Sequence, residues 1–174
     1  RGQRLKDPHV AGIAVSANGK QAFVALGIRN AIAVIDTEIG LVTRTIRVDV
    51  APYHVTLSPD GKRLAVSCRG GRGATLSQPN AMSAGTAVRI DTTTDAALDG
   101  SVVVIDTAAL RATQTITCIR QPGKSCFMDG SRTLVVPGTV FTTASISLAR
   151  RSSSPRSLPK TLMPIGVRIP VESM

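Results

Sequence analysis

With 174 residues the chain has the length of one ordinary domain, and no apolar run in it approaches the ~18 residues of a membrane span. The formal net charge of +10 would suit a nucleic-acid binder, but residues 111–174 hold nine Lys/Arg against two Asp/Glu, so most of the excess sits in the tail. Phe23, Tyr53, Phe127 and Phe141 are the only aromatic side chains, too few for base-stacking platforms, and nucleic acid is not an expected partner.

Residues 1–8 are polar and read as a linker or as the tail of a preceding blade. Val10–Val15, rich in small and β-branched residues, predicts a first strand. Asn18-Gly19 then supplies a tight turn, because both residues tolerate positive φ. Gln21–Leu26 follows as a second strand, Gly27-Ile28-Arg29-Asn30 turns again, and Ala31–Asp36 is a third. Its Ile32 and Val34 point one way and its Ala31, Ala33 and Ile35 the other, so both faces are apolar and both call for a cover. After a turn at Thr37-Glu38-Ile39-Gly40, residues 41–48 form a fourth strand whose Arg44 and Arg47 suit an outer edge.

The pattern then starts again. Residues 49–52 lead into 53–57, which repeats strand one, and Ser58-Pro59-Asp60-Gly61-Lys62 repeats Ser16-Ala17-Asn18-Gly19-Lys20 at a distance of 42 positions. Residues 63–68 repeat strand two. Val34-Ile35-Asp36-Thr37 returns as Val104-Ile105-Asp106-Thr107, but 70 positions on, so an insertion of about 28 residues lies within 69–100, rich in Gly, Ser, Thr and Ala. Ser101–Asp106 resumes as strand three and 112–119 as strand four. A third copy begins at 123–127, turns at Asp129-Gly130, runs through 133–136 and decays. Ser145-Ile146-Ser147-Leu148 stands near the place of the Val-Ile-Asp-Thr motif, and the Arg- and Ser-rich run after it has the composition of a disordered segment.

A period in the forties built of short strands is the mark of a β-propeller. The expected fold is therefore all-β: a partial propeller over 1–136, with blade one at 8–50, blade two at 51–121 carrying the insertion at 69–100, and the start of a third at 122–136. Residues 137–174 are expected to be an irregular, basic tail. A closed ring needs at least ~4 four-stranded blades, and the chain opens Arg1-Gly2-Gln3-Arg4 without Met or leader, so the sequence reads as a fragment.

Asp36, Asp60, Asp106 and Asp129 recur at equivalent places in the repeat, which suits turn formers bonded to backbone N–H groups better than catalysts. Insertions in repeat proteins map to loops on one face, often the binding face, and this one, expected to be a long loop after the second strand of blade two, offers two kinds of ligand site. Asp91, Asp95 and Asp99 supply carboxylates for Ca²⁺, though not at EF-hand spacing. Gly70-Gly71-Arg72-Gly73 offers backbone N–H groups with Arg69 and Arg72 for an anion, but lacks the Lys and Ser/Thr of a P-loop. His9 and His54 each sit where a blade begins, near the central channel of a propeller; a structural role is favoured over a metal ligand or base. No Gly-x-Ser-x-Gly elbow occurs, and no cofactor is expected. Cys68 reads as a small buried hydrophobe, and Cys118 and Cys126 flank a turn that a disulfide would span in an exported protein.

In its Ser58-Pro59-Asp60-Gly61-Lys62 turn, its two Val-Ile-Asp-Thr motifs, Ile46-Arg47-Val48 and Pro52, the chain resembles the YVTN-type propeller repeat family, also called YncE-like or lactonase-like. The insertion, with Arg69-Gly70-Gly71-Arg72 and Gly100-Ser101-Val102, is similar to the elongated blade of bacterial propellers that precede a phosphoesterase domain of the alkaline phosphatase superfamily. The resemblance implies a larger, exported parent, periplasmic or secreted, although nothing rules out the cytoplasm. It assigns no catalytic residue to this chain. The expected function is a non-catalytic interaction scaffold whose partners are further blades or a companion domain, with a protein or small molecule at the insertion. The alternative is the propeller portion of a hydrolase, either a phosphoesterase or a lactonase-like enzyme.

Overall fold

In the computed structural model the described residues are 9–75, 77–83, 85–117, 120–128, 133–137 and 143–147. The first four strands, β1 (Val10–Val15), β2 (Gln21–Leu26), β3 (Ala31–Asp36) and β4 (Leu41–Arg47), form an antiparallel sheet in sequential order. Next come β5 (Val50–Leu57) and β6 (Arg63–Gly71), then β7 (Asn80–Ser83) and β8 (Thr86–Arg89), then β9 (Ser101–Asp106) and β10 (Arg111–Thr117). The second sheet runs β5-β6-β9-β10, with β7 and β8 as a separate hairpin between its second and third strands. β11 (Cys126–Met128), β12 (Thr133–Pro137) and β13 (Thr143–Ser147) make a third sheet.

The two recurring motifs are physically joined, which is why they recur together. In the first sheet Ser16 Oγ donates to Asn18 Oδ1, and the backbone N–H groups of Lys20 and Gln21 donate to Asn18 Oδ1 and Ser16 Oγ at 3.1 and 2.9 Å. Ser58 and Asp60 make the same bonds to Lys62 and Arg63, again at 3.1 and 2.9 Å. Gly19 and Gly61 hold matching φ values of +71° and +68°, the left-handed conformation glycine adopts without strain. At the next turn Asp36 accepts from Glu38 and Ile39, and Asp106 from Ala108 and Ala109. The threonine that follows each aspartate closes the loop: Thr37 donates to the Gly19 carbonyl and Thr107 to that of Gly61.

The hydrophobic core lies between the sheets. Phe23, Ala25, Ile32, Val34 and Ile46 of the first sheet meet Val55, Leu64, Val66, Cys68, Val103 and Ile105 of the second. The second sheet's other face, Ala65, Val102 and Val104, meets Leu134 and Val136 of the third, with Phe127 and Ile116 packed beside them. Strand alternation thus gives the middle sheet two dry faces. β1 and β5 approach each other closely: a Cβ on Gly12 of β1 would lie 2.8 Å from the Tyr53 carbonyl oxygen and 3.0 Å from His54 Cα on β5.

The repeat also shows which apolar face is open. Val55 and Leu57 of the second sheet look back at the first, and Val55 is 3 % exposed. Their equivalents 42 positions earlier, Ile13 and Val15, are 62 % and 51 % exposed on the first sheet's outward face.

Three expectations need correction. Residues 49–52 are not merely a connection, because β5 starts at Val50 and pairs there with Gly71, so β6 also runs three residues beyond 68. The insertion is not an extended loop: β7 and β8 pair from Asn80↔Arg89 to Ser83↔Thr86, and an isolated bridge joins Ile90 to Ala97. Within the segment expected to be irregular, Thr143–Ser147 is a strand, paired antiparallel with β12, so Ser145-Ile146-Ser147 stands in the third-strand position of its copy. Asp129 and Cys118 lie outside the described residues.

Candidate functional site

The two ends of the sheets are built differently. One end carries the short turns at 16–20, 37–40, 58–62 and 107–110, tied internally by side chain to backbone bonds. The other end carries the start of β1, a 3-10 turn over Gly27–Arg29, the start of β5, the end of β6 and the inserted hairpin. There, between the first two sheets, lies an open depression of about 590 Å³ whose walls include Val10, Ile28, Pro52, Tyr53, Arg69 and Ser83. The guanidinium carbon of Arg69 sits 3.3 Å from the centroid of the Tyr53 ring, a cation–π stack that holds the side chain flat.

Asn30 fastens this end together. It closes the 3-10 turn in the left-handed conformation at φ +50°, which asparagine tolerates better than most residues. Its carbonyl accepts from Val48 N–H at 3.0 Å, its Oδ1 from Ala51 N–H at 3.0 Å, and its Nδ2 donates to Thr86 Oγ1 at 2.7 Å. One side chain therefore links the first sheet, the entry to β5 and the hairpin. Ala51, on the rim, holds φ +55° without being glycine, and backbone strain of this kind persists only where the surroundings impose it. Sequence reading passed over Asn30; the signal was an asparagine ending a Gly-Ile-Arg-Asn turn.

The residues singled out from sequence are not brought to one place. Arg69 lines the depression, whereas Arg72 is exposed one residue past the end of β6. His54 follows Tyr53 on β5, where the pairing register with β6 shifts between Pro52 and His54, and its Nδ1 accepts the Ser125 N–H at 3.2 Å, beside the third sheet. Partial burial, helped by the Lys124 charge, holds its pKa below the ordinary histidine value. A neutral imidazole that accepts through Nδ1 carries its proton on Nε2. His54 in this arrangement has no lone pair free for a metal or for base catalysis.

The three insertion carboxylates are dispersed among other tasks. Asp91 accepts from Thr93 N–H at 2.9 Å and lies 3.6 Å from Arg120, and these bonds, the first above all, lower its pKa. Asp99 pairs with Arg89 at 3.3 Å. Asp95, at φ +53°, donates its N–H to the Asp91 carbonyl as part of a turn. Among the described residues no three of His, Cys, Asp and Glu are grouped to hold a metal ion. Cys68 is fully buried and its thiol is pushed far up by burial, so it serves as packing. No helix among the described residues is long and apolar enough to cross a membrane.

No protein-family model matches this sequence, and no curated protein does. Solved structures do match. Hydrazine synthase from Kuenenia stuttgartiensis superposes with a TM-score of 0.57 at 19% identity, covering 79% of this chain and 34% of that one. U3-55K gives a TM-score of 0.58 at 15% identity over 85% of this chain and 38% of its own. The WD40 repeats of RRP9 give 0.58 at 15% identity, over 85% and 37%. The fold is that of a β-propeller. At such identities the likeness is one of fold, and the chain spans little more than a third of the length of each of these structures. The first two sheets are thus four-stranded blades with β1 and β5 innermost, and the depression lies between blades one and two at one end of the propeller.

Proposed function

We propose that this chain is an interaction scaffold, two packed blades and part of a third that hold a binding face at the end bearing the insertion. The observation that carries this is the asymmetry of the two ends. One is sealed by self-contained turns, while the other gathers a hairpin, a depression and a strained rim residue, latched by Asn30. The matching bonds of the Asn-Gly and Asp-Gly turns with the Val-Ile-Asp-Thr motifs support a YVTN-type repeat, and the open apolar face around Ile13 and Val15 supports further blades beside the first. Folding of such arrays leans on neighbouring units. The hydrolase alternative, whether phosphoesterase-linked or lactonase-like, draws nothing from His54, whose Nδ1 is already occupied.

Site-specific photo-crosslinking distinguishes the ends. A benzoylphenylalanine placed at Met82, exposed on β7, is expected to capture a discrete partner in the cells of origin, and the same group at Ile39, exposed at the opposite end, is not. Replacing 72–99 by a short turn like that of blade one should leave the strand signal in circular dichroism intact and abolish binding of that partner. Equal capture at both positions, or at neither, would contradict the scaffold reading.

A further inference from the structure

The cations at the insertion end are unevenly used. Arg89 and Arg120 are paired with Asp99 and Asp91. Arg29 in the 3-10 turn, Arg69 in the depression and Arg72 beyond β6 have no carboxylate partner among the described residues. Of these Arg69 is the one held in place, because Tyr53 takes the face of its guanidinium and leaves the N–H edge to donate. The exposed walls around it are apolar: Val10 is 58 % exposed and Ile28 37 %. A stacked guanidinium between exposed aliphatic walls, open to solvent and spanning two blades, complements an extended chain that carries a carboxylate next to an apolar side chain.

Resting on the scaffold reading above, we propose that the groove between blades one and two binds an acidic, apolar peptide segment of a partner protein. A Glu or Asp carboxylate accepts from Arg69, the neighbouring apolar side chain lies on Val10 and Ile28, and Arg29 and Arg72 add longer-range attraction that salt screens.

The test uses the full chain and two fluorescein-labelled octapeptides, one with glutamates flanking phenylalanine and leucine and one with lysines in place of the glutamates, followed by fluorescence anisotropy. The acidic peptide is expected to bind and the lysine peptide not. Arg69→Gln should weaken binding about tenfold, the size of a lost charge-assisted hydrogen bond, and Ile28→Ser several-fold. Arg111→Gln, on the outer strand of blade two, should change nothing. Arg69→Glu should reverse the preference toward the lysine peptide, a gain that misfolding would not produce. The proposal is overturned if the acidic peptide does not bind, if both peptides bind equally, or if Arg69→Gln has no effect. Full competition by acetate or free glutamate at the peptide's own concentration would also overturn it, marking a small-carboxylate site instead. Crosslinking at Met82 that persists while Arg69→Gln has no effect on the peptide would sink the groove assignment and leave the scaffold reading standing.

Discussion

Truncation of Phe23 to alanine is expected to lower the unfolding free energy by about 3–5 kcal/mol, the range for emptying a large aromatic side chain from a closed core. Among the described residues Phe23 is the bulkiest that is fully buried, 1 % exposed, and it sits in the layer where blade one meets blade two. The loss is a large share of the roughly 5–15 kcal/mol that holds a domain folded, so the melt should drop steeply. Phe23→Leu, which keeps most of the volume, should cost less. Val15→Ala is the internal control, since Val15 belongs to the same sheet but its open face, and is half exposed. Urea denaturation of the three variants checks the ranking; a Phe23→Ala chain no less stable than Val15→Ala would place Phe23 outside the inter-blade core.

The second large effect is expected at Gly12. A Cβ there would meet the Tyr53 carbonyl oxygen, His54 Cα and Val55 N at 2.8 to 3.0 Å, and these are backbone atoms of a paired strand that cannot rotate away. Gly12→Val must therefore push β1 off β5. Overpacking commonly costs about 1–3 kcal/mol where side chains can yield, so a backbone clash belongs at or above the top of that range. The consequence reaches the candidate site, because Val10 on β1 and Tyr53 on β5 both line the depression. Gly40→Asn is the contrast: its φ is +69° with nothing within 4 Å, and asparagine tolerates that conformation. Thermal melts should show a marked loss for Gly12→Val and a small one for Gly40→Asn. Equal melts would contradict the close approach of the inner strands.

What could be read from sequence was what short-range bonds decide. The Asn18-Gly19 and Asp60-Gly61 turns and the two Val-Ile-Asp-Thr motifs located β1 to β3, β6 and β9, because each motif is satisfied within its own hairpin or the next strand. The early start of β5 at Val50 was not legible, since it depends on pairing with Gly71 across the insertion. The β7–β8 hairpin was hidden by a composition of small polar residues, and its position depends on Thr86 reaching back to Asn30 over 56 residues. At the site, Arg69 stood out by charge, but its partner Tyr53 was passed over for His54, because the register shift between Pro52 and His54 that decides how these neighbours are presented is a property of the pairing with β6. The carboxylates of the insertion suggested calcium by number alone, and their pairing with Arg89 and Arg120 is a tertiary fact.

Face-to-face docking of repeated four-stranded blades underlies both the fold and the groove, and nuclear Overhauser contacts in the isotope-labelled full chain test it most directly. Docked blades predict cross-peaks from the Gly12 α-protons to backbone protons of Tyr53, His54 and Val55, together with peaks from the Phe23 ring to methyl groups of Val55, Leu64 or Ile105. A spectrum that kept the β1–β2 and β5–β6 hairpin contacts but showed none between the two sheets would contradict it.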